Sequence, residues 1–135
     1  ECGYALIMST EIIGLSHLER EIIANVVRYN IRDFDYDMMQ LETEAGQDLA
    51  GVSDRTAITI LIAKLTAILR LANSMDKTHK AKLIDSRMAV RDGRLVITTG
   101  YQGDLALESA SFEQKAAFFE EIFGIRPVLK QKRRV

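Results

Sequence analysis

Residues 87–97 read RMAVRDGRLVI, two runs of alternating apolar residues on either side of Asp92-Gly93. A two-residue Asp-Gly loop between such runs is typical of a β-hairpin, because both positions tolerate positive φ. The alternation has a period of two, so the pairing register decides which side chains share a face. The sequence therefore predicts a half-buried antiparallel pair. The pairs that this register places on one face are Val90–Leu95 and Met88–Ile97.

The chain after the hairpin predicts another strand and then a helix. Leu105 and Leu107 alternate as a third strand. Ser111 and Gln114 have the spacing of a capping box, and Gly124 is a natural helix stop. One aromatic face is expected on this helix, made of Phe112, Ala116, Phe119 and Phe123.

A last strand is expected over residues 125–130, where Pro127 favours an edge position because it cannot donate to a ladder. The second half is thus predicted as β-β-β-α-β, a small sheet with one helix packed on it.

The chain before the hairpin has helical periodicity. Ser16 and Glu19 form a capping box that opens a helix to about Asn30. A longer helix is predicted over residues 54–78, capped by Ser53, and its apolar residues are so many that we expect it to be the buried central helix. The two predicted core faces are Leu18, Ile22, Val26 and Tyr29 on the first helix, and Ile58, Leu61, Leu65, Ile68, Ala72 and Met75 on the second.

Residues 31–53 read as an acidic, aromatic loop with one short helix over Met38–Ala45. Asp33, Asp35, Asp37 and Glu44 match the carboxylate spacing of a calcium loop. However, Met38 stands where that loop needs glycine for its sharp turn. We therefore interpret the segment as a solvated acidic loop.

Composition indicates an ordinary globular domain, with 135 residues, 47% of them hydrophobic and 27% charged. No continuous apolar run approaches the ~20 residues of a membrane span, so we expect no membrane contact. The single cysteine, Cys2, excludes an internal disulfide framework and fits a cytoplasmic protein. The chain begins at Glu1 with residues that already look ordered, so we expect more polypeptide upstream.

Charge is unevenly distributed along the chain. Residues 1–80 hold 8 basic and 12 acidic side chains, whereas residues 81–135 hold 10 basic and 7 acidic ones. The overall net charge of −1 is too low to suggest binding of duplex DNA. The basic C-terminal tail predicts either local contact with a polyanion or simply a solubilising end.

Catalytic motifs are absent from the sequence. His17 and His79 lie far apart, Gly46 and Gly51 are isolated, and no nucleophile elbow occurs. We therefore predict no catalytic residue and no metal ligand in this chain.

Several passages resemble one known family. They are IIGLSHLERE at residues 12–21, Arg28-Tyr29, LTAILRLANSMDKTH at residues 65–79 and AAFFEEIF at residues 116–123. In this order and spacing, they make the chain similar to the C-terminal region of the exopolyphosphatase/guanosine pentaphosphate phosphohydrolase family.

This resemblance implies a fold and a role. It implies an α+β chain, with a degenerate helical HD-like subdomain over residues 1–82, truncated at its N-terminus, and a small sheet-plus-helix subdomain over residues 83–135. Catalysis and magnesium would belong to actin-like domains upstream. The parent would be a cytoplasmic hydrolase of polyphosphate or guanosine pentaphosphate. This chain, itself non-catalytic, would help to bind polyphosphate and to form a homodimer.

The chain departs from the HD pattern at three positions. Cys2 and Asn30 stand where relatives often have histidine, and Asn73 stands where they often have aspartate. An amide lacks the charge that helps to hold a divalent ion, so the resemblance implies no working metal site here.

Polyphosphate carries about one negative charge per phosphate and has no bases, so rows of Lys and Arg should hold it through counterion release. Nucleic acid and membrane are not expected partners. One alternative is a purely structural module that docks on the catalytic domains and has no ligand of its own; another is a live HD-type nucleotide hydrolase. The candidate polyphosphate ligands are Lys77, Lys80, Lys82, Arg126, Lys130, Lys132, Arg133 and Arg134.

Overall fold

A computed structural model of the chain describes residues 2–30 and 52–132, with side chains from residue 56 onward in the second range. The chain is mixed α+β, as predicted. It divides into two compact units, Glu1–Thr66 and Ala67–Val135. The predicted subdomains 1–82 and 83–135, and their HD-like assignment, stay predictions. The predicted Met38–Ala45 helix and the calcium-loop carboxylates lie outside the described residues.

The first unit contains α1 (Cys2–Ser9) and α2 (His17–Tyr29). Ser16 caps α2, because its Oγ accepts a hydrogen bond from the Glu19 backbone N–H at 3.1 Å. The two helices pack closely at Gly3, where an added Cβ would lie 2.6 Å from Val27 Cγ1. The predicted α2 face is confirmed, since Ile22, Val26 and Tyr29 are buried and Leu18 is half-buried.

The long helix, α3, runs over Val52–Met75 and ends three residues before the predicted end. The predicted stripe on it is confirmed only at its two ends, where Ile58 is buried and Met75 packs against the core. Between them the prediction is wrong, because Leu61, Leu65 and Ile68 are 43%, 38% and 50% exposed. Most of this helix's circumference is apolar, so periodicity alone cannot decide which side is covered. The buried residues of the helix are Ile58, Ile62, Ala63, Thr66, Ala67, Leu71 and Ser74.

One segment of the same helix has the length and composition of a membrane span. Residues Thr56–Met75 are long and apolar enough to cross a membrane, judged by length and composition alone. The core helix of a soluble protein passes the same test. The segment is not an uninterrupted apolar run, because it contains Lys64 and Arg70.

The predicted hairpin is confirmed in its register. Strands β1 (Arg87–Arg91) and β2 (Arg94–Thr99) pair antiparallel, with Val90 opposite Leu95. Asp92 and Gly93 have φ values of 52° and 73°, as a primed two-residue turn requires. β1 is less covered than expected, because Met88 and Val90 are 61% and 64% exposed.

The expected third strand at Leu105 and Leu107 is wrong, because α4 spans Ala106–Phe123. The Ser111 capping box is wrong for the same reason. The N-cap is Leu105, which makes no side-chain capping hydrogen bond, and the Asp104 Oδ1 just before it accepts a hydrogen bond from the Ala106 N–H at 2.9 Å. The observed order of this part is therefore β-β-α-β. Gly124 ends α4 with a φ of 73°, as predicted.

The last strand, β3 (Arg126–Gln131), pairs parallel to β2, so the sheet order is β1-β2-β3 and Pro127 lies on an edge strand as predicted. One sheet face packs on α4 and on the C-terminal end of α3. The predicted aromatic face of α4 is confirmed by the buried Phe112 and Phe119. The fully buried core of the second unit comprises Ala67, Leu71, Ile97, Phe112 and Phe119.

Candidate functional site

The face of the sheet that points away from this core carries a set of cations. Strand pairing aligns three cross-strand rows on it, which together we call the cationic face. Alternation along each strand keeps these residues on one side, opposite the buried Ile97. The rows are Arg87–Thr98–Lys130, Ala89–Val96–Val128 and Arg91–Arg94–Arg126.

The cationic face has a defined spacing. Neighbouring strands in a sheet lie about 4.8 Å apart, so Arg91, Arg94 and Arg126 are close neighbours. In the other charged row Thr98 lies between Arg87 and Lys130, which are therefore about 10 Å apart. The two charged rows are four residues apart along each strand, which corresponds to about 13 Å. The row between them is made of small or β-branched apolar residues. Two bands of positive charge therefore flank a low apolar strip.

Counter-charges are scarce on this face. The three strands contain no aspartate or glutamate. Arg87, Arg91 and Arg94 are exposed and make no ion pair with the described residues. Within the part of the chain that the structure describes, the paired cation of this face is Arg126, which lies 3.4 Å from Glu113 and 3.5 Å from Glu120 of α4. Like charges directly opposite each other in a sheet are destabilising, so a bound anion would relieve repulsion that the fold itself creates.

Some of the predicted basic residues of the C-terminal tail lie on the cationic face. Lys130 lies on it, and Lys132 follows two residues later with its N–H donating to the Thr99 carbonyl at 2.8 Å. Arg126 is on the face but is neutralised by α4 carboxylates. Arg133 and Arg134 lie outside the described residues.

The other predicted cluster follows α3. Lys77 and Lys80 are exposed there, in a turn where His79 and Ala81 have positive φ values of 57° and 50°. The Asp76 Oδ1 accepts a hydrogen bond from the Ala81 N–H at 3.1 Å, which stabilises this turn. Non-glycine residues keep such a conformation only where their surroundings impose it.

A cleft of about 350 Å³ lies beside this turn, and Asn73, Asp76, Lys77 and His79 line it. Asp76 brings a negative charge to the cleft. The carbonyl end of α3 also carries a partial negative charge. Both features weaken the cleft as an anion site, so the cationic face is the stronger candidate.

Lys82 is held away from any ligand. Its Nζ donates a hydrogen bond to the Asp104 carbonyl at 2.8 Å and lies 3.4 Å from the Glu108 Oε1. Its side chain is only 13% exposed. Lys82 therefore acts as a structural cation that joins the turn after α3 to the start of α4.

Glu108 is a buried carboxylate that sequence reasoning missed. It is 1% exposed, and its Oε1 accepts a hydrogen bond from the Thr78 Oγ1 at 2.7 Å. That hydrogen bond, the backbone amide of Glu108 and the Lys82 cation hold the pKa of this carboxyl below its usual range, against the opposing effect of burial. No spacing pattern in the sequence marks Glu108, because the partner residues lie about thirty positions away.

The positions that resemble degenerate HD ligands lie on separate elements. Cys2 is exposed at the start of α1, and Asn30 is the C-cap of α2. Asn73 lies near the end of α3, at the cleft. Among the described residues, no group of three or more His, Cys, Asp or Glu side chains could hold a metal ion.

Arg87, Arg91 and Arg94 were also missed as candidates. The signal was present, because the hairpin register that pairs Val90 with Leu95 also pairs Arg91 with Arg94. Following the polar side of that register, rather than only its apolar side, would have found them.

Comparison of the sequence with protein-family models and with curated proteins finds no match to either. The likeness to the exopolyphosphatase family therefore rests on the sequence passages alone.

Proposed function

We propose that this chain is a polyphosphate-holding accessory domain of a larger hydrolase of the exopolyphosphatase/guanosine pentaphosphate phosphohydrolase type. The observation that carries the proposal is the cationic face. It offers exposed cations on three adjacent strands, without an ion pair to any described residue at Arg87, Arg91, Arg94 and Lys130, and none of the three strands contains a carboxylate. The principal ligands are Arg87, Arg91, Arg94, Lys130 and Lys132, with Lys77 and Lys80 as a separate, weaker group.

The character of the face favours a ligand recognised by charge alone. Proteins that bind single-stranded nucleic acid combine cations with aromatic side chains on which bases stack. The three strands contain no Phe, Tyr, Trp or His. A polyanion without bases, such as inorganic polyphosphate, therefore suits the face better than RNA or single-stranded DNA.

The parent's chemistry lies elsewhere in this proposal. Magnesium would act in the actin-like domains upstream. The described residues do not fit a metal site, because Asn30 and Asn73 lack the charge of a carboxylate. We accordingly assign to this chain no catalytic step and no metal.

The test compares two double variants of the full chain. Affinity for long-chain polyphosphate is measured at low and high salt, with free phosphate followed in the same tube. We expect binding that weakens steeply with salt and no phosphate release. Arg87→Glu with Lys130→Glu should lower the affinity by about tenfold or more, since two of the cations are reversed.

The matched control places the same charge change at the turn after α3. Lys77→Glu with Lys80→Glu should lower the affinity much less, and Lys64→Glu on the exposed side of α3 should barely change it. Equal losses for the two double variants would mean that net charge, not the cationic face, holds the ligand. No binding at either salt would reject the proposal.

A second function is favoured by one observation. Leu61, Leu65 and Ile68 are exposed along one side of α3, as expected for a purely structural module that docks on other domains or dimerises. A monomer by light scattering that binds no hydrophobic dye would count against that role. Neither result bears on polyphosphate affinity.

A further inference from the structure

β1 is an edge strand whose two faces differ, since one is cationic and the other apolar. Its pairing is with β2 alone among the described strands. Arg87 and Arg91 lie on the cationic face, whereas Met88 and Val90 lie on the opposite face. α4 packs on β3 and against the buried Ile97 of β2, and it leaves these two apolar side chains 61% and 64% exposed.

The outer edge of β1 also offers backbone hydrogen bonds. In a hairpin with a two-residue loop, the residues flanking the loop exchange hydrogen bonds, and paired residues then alternate between bonded and non-bonded. Arg91 and Arg94 flank the loop, so Met88 and Val90 are in non-bonded pairs. Their N–H and C=O groups consequently point away from β2, towards the outer edge of β1, where no described strand pairs.

We propose that β1 binds an extended acidic peptide segment as a further strand of the sheet, with acidic side chains on the cationic face and apolar side chains over Met88 and Val90. Strand addition takes its affinity from backbone hydrogen bonds and its specificity from alternate side chains. The two arginines at the ends of β1 would each face an acidic residue, and opposite charges across a strand pair are stabilising.

Charge complementarity distinguishes this occupant from a second copy of the chain. Antiparallel pairing of β1 with itself about Ala89 would place Arg87 opposite Arg91 of the other copy. Like charges directly opposite each other are unfavourable, and charged residues commonly protect edge strands from self-association. The same arginines attract a strand of the opposite sign, and the exposed Met88 and Val90 supply it with an apolar surface.

The experiment uses the full chain and three labelled peptides. In the first, glutamate alternates with valine; the second has the same composition in two separate blocks; in the third, lysine replaces glutamate. Fluorescence anisotropy should show binding of the first peptide and at least tenfold weaker binding of the other two. Equal affinity for the alternating and the block peptide would overturn strand addition, because simple charge attraction does not depend on the order of residues.

Amide hydrogen exchange provides a second test, because charge attraction without strand pairing would not slow the exchange of backbone amides. The alternating peptide should slow exchange at Met88 and Val90, whose N–H groups face the edge, and leave Ala89 nearly unchanged. Unchanged exchange at both edge amides would overturn the proposal even if the peptide bound.

Variants separate this site from the polyphosphate ligands on β3. Arg87→Glu with Arg91→Glu should reverse the preference, so that the lysine peptide binds better than the glutamate peptide. Lys130→Glu with Lys132→Glu carries the same charge change at the far edge and should leave the peptide affinity within about twofold. If both double variants lost the peptide equally, the edge assignment would be wrong, whatever the fate of polyphosphate binding.

Discussion

Arg91 and Arg94 lie directly opposite each other on the cationic face, on either side of the Asp92-Gly93 turn. Both are exposed, and neither makes an ion pair with the described residues. The next strand adds Arg126 to the same row. A hairpin selected for stability alone would favour opposite charges at such a pair. The repulsion is therefore a cost that a bound polyanion would offset.

Reversing one charge of this pair should stabilise the protein while it weakens ligand binding. Arg94→Glu replaces a repulsive pair with an attractive one, worth about 0.2–1 kcal/mol in the free energy of unfolding. Thermal unfolding should show a higher Tm, and polyphosphate affinity should fall. Arg94→Lys is the control, because it keeps the charge and should change both quantities little. A lower Tm for Arg94→Glu would contradict the reasoning.

The second prediction concerns the free energy of unfolding and rests on the hydrogen bond between Thr78 and Glu108. Thr78→Val removes the hydroxyl that donates to the buried Glu108 Oε1 and leaves that oxygen without its shortest hydrogen bond. An unsatisfied buried acceptor costs about 1–3 kcal/mol, more if it is charged. Urea unfolding should show a loss of that size, and Thr78→Ser should recover most of it. A Thr78→Val protein as stable as the parent would show that Lys82 alone satisfies the Glu108 Oε1.

Glu108 also makes stability depend on pH. Its pKa is lowered in the folded state, first by the Thr78 hydrogen bond and then by its backbone amide and Lys82. The carboxylate therefore stabilises the fold at pH values above its unfolded pKa of about 4.3. That stabilisation should be lost as the pH falls below this value towards the folded pKa.

The measurement is the free energy of unfolding between neutral and strongly acidic pH, for the parent and for Glu108→Gln. The variant cannot ionise at this position, so its profile should be flatter below about pH 4.3. The exposed Glu113 on the same helix is the control, since Glu113→Gln should preserve the parent's slope. Parallel profiles for the parent and Glu108→Gln would exclude Glu108 as the source.

Local signals predicted most of the elements. The Ser16 cap, the Asp92-Gly93 turn and the Gly124 stop each depend on neighbours a few residues away, and each is confirmed. The predicted start of α4 was wrong because its N-cap is Leu105, which makes no side-chain capping hydrogen bond, and because Leu105 and Leu107 imitate a strand. A helix that begins without a side-chain cap has no local sequence signal at its start, whereas the spacing of Ser111 and Gln114 imitates one.

Tertiary contacts decided what local signals could not. Apolar residues surround most of α3, and at its C-terminal part the buried side is the one where Ala67 and Leu71 pack with Phe112 and Phe119. Small side chains at Ala63 and Ala67 mark the buried side, whereas the larger Leu61 and Leu65 are on the exposed one. Tertiary contacts also decide which cations are available to a ligand. Lys82 is excluded because its side chain is only 13% exposed and forms an ion pair with Glu108. Arg87, Arg91 and Arg94 are added because the strand register places them on one face, which composition alone could not show.

The turn between β1 and β2 positions both the cationic face and the outer edge of β1. The last prediction concerns a substitution in this turn. Gly93 has a φ of 73°, and a Cβ built there would meet no atom within 4 Å. The cost of Gly93→Ala is therefore conformational rather than steric crowding by neighbours, about 1 kcal/mol for an L-residue in the left-handed region. Asp92→Asn is the control, because Asn-Gly suits the same primed turn.

The effect of Gly93→Ala is checked by its stability and hydrogen exchange and by its affinity for polyphosphate. Gly93→Ala should lower the free energy of unfolding by about 1 kcal/mol and speed hydrogen exchange at the Ala89 and Arg91 amides, which bond to β2. Because the strained hairpin holds Arg91 less firmly opposite Arg94, polyphosphate affinity should fall although no cation is removed. Unchanged affinity with faster exchange would show that the cations act independently of strand register, and that the face works as a diffuse charge rather than as aligned rows.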